Sequence, residues 1–293
     1  MAKTAKTAKN STQFESYVAH ASVKTSANAA AIQSAYKIEV RFLGGLNAAQ
    51  KNAFKAAADR WSKVIIGDLP TVIDGADVID DLLIEAQGVA IDGPGQILGQ
   101  AGPTKLRPHA AGASALLPAK GIMSFDTADL AKMQAEGTLV DVITHEMGHV
   151  LGIGTIWKLK NLLVGAGTNN PRFRGVNARR EFGVLKGTGP TQVPVENTGG
   201  PGTREGHWRE TVFRNELMSG FIGGPNNPLS RLTVASLQDM GYVVDMAAAE
   251  TYALPNLLQM AEAGMLLAEH DPNHGHALPI FAPKVLPDSA LQP

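Results

Sequence analysis

The chain has 293 residues, 44% of them hydrophobic, and 26 Lys and Arg stand against 27 Asp and Glu for a net charge of −1. That is enough apolar side chain for one large core or two small ones, and the near-neutral balance argues against nucleic acid or an anionic membrane surface as the main partner. Cysteine is absent, so disulfides do not hold the fold and any metal site must use His and carboxylate.

Residues 1–35 carry an AKT repeat and many Ala, Ser and Thr, which reads as a flexible arm. The functional alternative is a latency segment over a cleft, with His20 as its one obvious metal ligand. The early lysines are not followed by an apolar stretch, so this is not a Sec signal peptide. No apolar run reaches transmembrane length either, and the expected location is the cytoplasm or outside the cell by a non-Sec route.

Order is expected from Tyr36. Lys37 to Leu43 alternates and predicts a half-buried strand, and Gly44-Gly45 turns the chain. Asn47 then caps a helix running to about Ile65, with Phe54, Ala57, Ala58, Trp61, Val64 and Ile65 on one stripe. Strands follow near Leu82–Ala86, Gln96–Gln100 and Gly121–Asp126, and a short helix spans about Thr127 to Ala135. Gly95–Ala101, uncharged and just before the Gly121 strand, is a candidate edge strand.

Thr138 to Gly152 reads TLVDVITHEMGHVLG and predicts a helix, with Thr138 and Asp141 as a capping box and Gly152 as its left-handed stop. Leu139, Ile143, Met147 and Val150 line one face, which packing must bury because Val142, Ile143 and Thr144 are poor helix formers. His145 and His149, four residues apart, share the other face and can reach one metal ion. Glu146 lies about 100° round the helix, where a base for an attacking water belongs.

After Gly152 the chain is rich in Gly, Pro and Asn as far as Gly206, and only Trp157–Val164 looks helical. Leu232–Met240 predicts a helix stopped by Gly241, Pro255–Glu269 another, and the Pro-rich tail from Asp271 an extended segment. The expected architecture is an α/β layer over 36–152, an irregular half over 153–252, and a helix with extended tail over 253–293, with the cleft where the first two meet.

Two histidines do not complete a catalytic zinc site, which usually has three protein ligands and a water. The residue six beyond His149 is Thr155, so the third ligand must be a more distant His or a downstream Glu: Glu181, Glu196, Glu205, Glu210 or Glu216. His207 stands out, fifty-eight residues beyond His149, in Gly206-His207-Trp208-Arg209-Glu210, with Glu216-Leu217-Met218 following. Here the chain resembles the leishmanolysin-like branch of the metzincin zinc peptidases. That branch keeps the pattern of His145 to Gly152, inserts a long segment before its third histidine, and follows it with a Met-turn. The resemblance extends to Phe173–Ala178 and to Ser230 through Tyr242.

The resemblance implies a metzincin-type fold of α+β or α/β class, with a twisted sheet and its helices above the cleft and the irregular half below. It implies a zinc endopeptidase in which His145, His149 and His207 hold one Zn²⁺, Glu146 is the general base, and Met218 is a hydrophobic floor, not a ligand. The implied partner is a protein or peptide substrate, and the chain is expected to act as a monomer. A catalytically inactive binding protein of the same fold is the alternative from another class. With no cysteine, a cysteine-switch latency cannot operate, and Gly220 stands where some metzincins carry a tyrosine ligand. Structural Ca²⁺ is conceivable at the acidic Asp74–Asp81 stretch, which matches no calcium-loop pattern. His270, His274 and His276 are read as a solvated loop.

Overall fold

Alternation of Ile38, Val40 and Phe42 with Glu39 and Arg41 builds a strand whose three apolar side chains are buried. In the computed structural model, which describes residues 14–20, 36–91, 93, 99–200, 202–222, 224–256, 260 and 282–292, it joins a six-stranded mixed sheet. The chain makes β1 (Glu15–His20), β2 (Lys37–Gly44), a small hairpin of β3 (Val72–Asp74) and β4 (Asp77–Ile79), then β5 (Leu82–Val89), β6 (Gly99–Leu106) and β7 (Pro118–Asp126). Much later, β11 (Lys284–Val285) returns to this sheet, whose order is β1-β2-β5-β7-β6-β11. β2, β5 and β7 run parallel, while β6 is antiparallel to β7.

Two expectations about the ends change. The reading of 1–35 as an arm fails at Glu15–His20, which pairs antiparallel with β2. Ala19 is buried, the Tyr17 hydroxyl donates to Asp59 at 2.8 Å, and Lys51 meets Glu15 at 2.5 Å, so this short stretch has tertiary partners its composition does not suggest. The tail is not simply extended at its end, because β11 pairs parallel with Lys105 and Leu106, and Leu286 and Ala290 bury against Val72, Ile79 and Leu83. The Pro255–Glu269 helix falls almost wholly outside the described residues, as do residues 96–98 of the strand expected at Gln96–Gln100 and the His270, His274 and His276 stretch.

Helix α1 (Ala48–Val64) starts as its sequence predicts. The Asn47 side chain accepts from the Gln50 N–H and the Gln50 side chain accepts from the Asn47 N–H, both at 2.9 Å. Its apolar stripe buries under the sheet, where Phe54 meets Phe42 and Phe125 edge to face. Each such ring removed from water contributes roughly 1.5–3 kcal/mol. Asp126 ends β7, caps α2 (Thr127–Glu136) and also accepts from the Ile91 N–H at 2.7 Å, a bond that heads the causes holding its carboxyl below the usual range.

Helix α3 (Leu139–Val150) packs on α1 and against β6 and β7. Leu139, Ile143, Met147 and Val150 are all buried, as expected. The capping box at its start does not form: Thr138 has helical angles and no side-chain cap, and Asp141 is drawn away to Arg60 and to the Asn226 and Asn227 N–H groups. Tertiary charge partners prevail over the local cap. The end is as predicted, with Gly152 at φ 109°, its N–H bonded to His149 and the Ile153 N–H to Gly148.

Beyond Gly152 the expected helix at Trp157–Val164 is a run of turns, because Gly152, Gly154 and Asn161 take positive φ and break the helical repeat. A small sheet of β8 (Leu163–Val164), β9 (Arg172–Phe173) and β10 (Val193–Pro194) follows. Helices α4 (Val176–Lys186) and α6 (Arg231–Met240) pack together, and Phe213 of the short α5 (Glu210–Phe213) meets Phe182 of α4. Asp239 of α6 accepts from the Asn177 and Ala178 N–H groups, both at 2.9 Å, and so caps an α4 that has no side-chain cap of its own.

Two buried carboxylates sit behind the segment around Gly220. Burial opposes ionisation of Glu196, but hydrogen bonds from Thr198, the Glu210 N–H and Asn197 prevail and lower its pKa. Glu210 is the reverse: burial pushes its carboxyl up to about 7. The fold therefore favours protonated Glu210, and that contribution is complete below about pH 4.5 and is lost as pH rises through 7. Glu210→Gln should match the native chain near pH 4.5 and be the more stable of the two at pH 8, by on the order of 2 kcal/mol. Denaturant titrations of both proteins across this range check it; a constant difference contradicts the assigned cause.

Candidate metal centre

Helix α3 positions two of the candidate histidines because its packing fixes its rotation. The Trp61 indole N–H donates to the Thr144 carbonyl at 2.8 Å, pinning α3 to α1 beside His145. Gly148, between the two histidines, lets Met218 and Trp61 close in on the helix, and a larger residue there would displace the end of the Met218 side chain. A Cβ at that position would lie 2.7 Å from the Met218 sulfur and 3.0 Å from the Trp61 ring. A glycine in the middle of a helix is unfavourable by about 1 kcal/mol against alanine, and this close approach accounts for it.

The turn after α3 takes the chain down and away. The Tyr242 hydroxyl donates to the Leu151 carbonyl at 2.9 Å, so the end of α3 is tied to the residue after Gly241. The return is equally close: a Cβ at Gly154, φ 75°, would overlap the Gly206 carbonyl oxygen. The backbone approach at Gly206 is thus made with Gly154. Trp208 is buried, stacks on Trp157 at 4.7 Å, and donates from its indole to Thr233 at 2.8 Å. Its backbone N–H bonds the Met218 carbonyl at 2.9 Å, so His207 and the 216–219 turn are joined directly.

These elements bring His145, His149 and His207 together. Their three Nε2 atoms form a triangle with every side 3.0 Å, and all three rings are buried. Each Nδ1 meets a backbone carbonyl: Leu217 for His145 at 2.7 Å, Ile153 for His149 at 2.9 Å, and Thr203 for His207 at 2.8 Å. A carbonyl can only accept, so each Nδ1 carries the proton and each Nε2 is left with a lone pair. Three lone pairs aimed at one point repel unless a cation lies between them. Nitrogens bound to one tetrahedral zinc ion lie about 3.3 Å apart, close to the spacing here. The donor set fits zinc, and the carbonyl partners are the orienting contacts such ligands need.

The other sequence candidates are placed elsewhere. Glu146 is fully buried on the turn of α3 that carries His145. Met218 is fully buried against Gly148, one residue after the carbonyl that orients His145. None of the five glutamates joins the three-histidine group. Glu181 pairs with Arg231, Glu196 binds Thr198 and backbone N–H groups, Glu205 accepts from Gly167, and Glu210 is the buried group described above. Glu216 is fully buried and accepts from Ser230, Thr233 and the Met218 N–H, so it anchors the turn that holds Met218. Burial raises its pKa.

His20 and His109 are exposed and apart from the group. In the acidic stretch, Asp74 pairs with Lys105, Asp77 with Arg41 and Lys120, and Asp80 with Lys37, while buried Asp81 accepts from the Lys37 and Leu69 N–H groups and lies with Asp68 and Asp80 in a second, wholly carboxylate group that could hold an ion. Sequence reasoning missed the supporting roles of Gly148, Glu216, Asp239 and Tyr242. Gly148 carried a signal as a glycine inside an otherwise apolar helix, and Glu216, Asp239 and Tyr242 carried one by falling within the motifs of the resemblance.

A sequence model of the leishmanolysin family matches residues 111–261, just over half of the chain. A leishmanolysin homolog from Crithidia fasciculata is 26% identical over 136 residues, which is 43% of this chain. The chain spans about a fifth of that relative's length. Among the described residues, no helix is long and apolar enough to cross a membrane. With the histidine triangle and this match over both α3 and the return through His207, the chain belongs to the leishmanolysin family of zinc metallopeptidases.

Proposed function

We propose that the chain is a zinc-dependent endopeptidase of metzincin type, with His145, His149 and His207 as the metal ligands. The observation that carries this reading is the triangle of Nε2 atoms 3.0 Å apart, each imidazole oriented by a backbone carbonyl. When bound, zinc supplies Lewis acidity: it lowers the pKa of a water towards about 7 and polarises a peptide carbonyl. Glu146, buried beside His145, takes the proton from the attacking water and later delivers it to the leaving amine. Met218 packs beneath the helix as a soft apolar floor, held by Glu216.

The substrate is an extended polypeptide that adds to the edge of the sheet through backbone hydrogen bonds. Strand β6 is suited to this. β7 covers one side, and on the other β11 pairs only with Lys105 and Leu106, so among the described residues Gly99 to Pro103 has no second strand partner. The stretch following Met218, residues 219–223, of which residue 223 lies outside the described residues, walls the pocket for the side chain after the scissile bond. The enzyme acts as a monomer.

Glu146→Ala should bind zinc as the native chain does and lose hydrolysis of an unfolded protein substrate by about 10²–10⁴-fold. Metal analysis beside initial rates separates an active peptidase from an inactive binding protein of the same fold. Substantial cleavage by metal-loaded Glu146→Ala would remove the role given to Glu146.

His207→Ala should lower zinc affinity as severely as His145→Ala, whereas His109→Ala should leave it unchanged. Zinc content after dialysis against a weak chelator is the readout. Equal content in native and His207→Ala protein would eliminate the third ligand.

A further inference from the structure

The segment between His149 and His207 carries a shallow, open cavity of about 720 Å³ whose lining does not include the three histidines. Two arginines line it, Arg172 on β9 and Arg179 on α4, beside Asn170, Thr191 and Gln192. Among the described residues neither guanidinium has a carboxylate or other hydrogen-bond partner, in contrast to Arg41, Arg60 and Arg231, which all have carboxylate partners. Both arginine side chains are half-buried, and although the Arg179 Nε is itself covered, the terminal nitrogens of both remain open for a ligand in the cavity. A third cation adds to the field: Arg209 lies close enough to feel Arg172, and its own nitrogens are committed to the Val195 carbonyl, Asn170 and the Pro171 carbonyl. That bond occupies the Asn170 side-chain oxygen and leaves its amide nitrogen as a donor.

We infer that this cavity binds an oxyanion, either a carboxylate or a phosphate, held by Arg172 and Arg179. The guanidinium fork matches a pair of oxygens, and two forks with an amide donor suit a group with two or three of them. The opening is much larger than a bare ion, so the anion can be the end of a side chain reaching in from another polypeptide. The site is independent of the peptidase chemistry but shares its scaffold. Phe173, the residue after Arg172, packs on Trp157 and on Trp208, which adjoins His207.

Calorimetric titration of the full chain at constant ionic strength, with inorganic phosphate in one arm and N-acetyl-aspartate amide in the other, tests it. Saturable binding of at least one is expected, and the arm that binds names the source of the oxyanion. Arg172→Gln and Arg179→Gln should each weaken that binding at least about tenfold, with the corresponding lysine variants between these and the native chain because they keep the charge and lose the fork. Without ligand, the glutamine variants should unfold at the native temperature or above it, since each removes a repelling charge. No saturable binding in either arm, or undiminished binding in both glutamine variants, overturns the site.

Discussion

Three imidazole lone pairs aimed at one point are the constraint around which this fold is arranged. Each is held there by a bond on the far side of its ring, to the carbonyls of Leu217, Ile153 and Thr203. Those carbonyls come from three separate stretches: the turn before Met218, the chain just after α3, and the loop before His207. The geometry therefore exists only when the insertion has gone out and come back. Closing so long a loop costs little more entropy than a short one, since the cost grows with the logarithm of length. The larger requirement is tight backbone contact, and Gly154 against Gly206 meets it.

Support for the site is reciprocal between the two halves. Trp61 of α1 fixes α3 from above, and Glu216, Ser230 and Thr233 fix the 216–219 turn from below. Gly148 is where the two meet, with Met218 on one side and Trp61 on the other. Asp239 and Tyr242, from one helix end, bind the start of α4 and the end of α3. This places the residues of the 173–178 and 230–242 motifs in one structural unit, although more than fifty residues part them in sequence.

Legibility followed the range of the interaction. Where the pattern is local, sequence was sufficient: the alternation of β2, the Asn47 cap of α1, the buried stripe of α3, and the glycine stops at Gly152 and Gly241. It failed where a distant partner overrode a local preference. Asp141 leaves the Thr138 cap for Arg60 and the backbone at Asn226, and Gly154, one of the positive-φ residues that break the helix expected after Gly152, lies against Gly206. Glu15–His20 becomes a strand because β2 offers it an edge, which composition cannot reveal. His145 and His149 were legible from helical spacing. His207 was not, and only its resemblance to a family motif singled it out from the five glutamates.

The most direct test of the central claim is X-ray absorption at the zinc edge of the metal-loaded chain. The account predicts three imidazole nitrogens and one further light atom, all at about 2.0–2.2 Å, with no sulfur. A shell containing two imidazoles, with a carboxylate in place of the third, would contradict it.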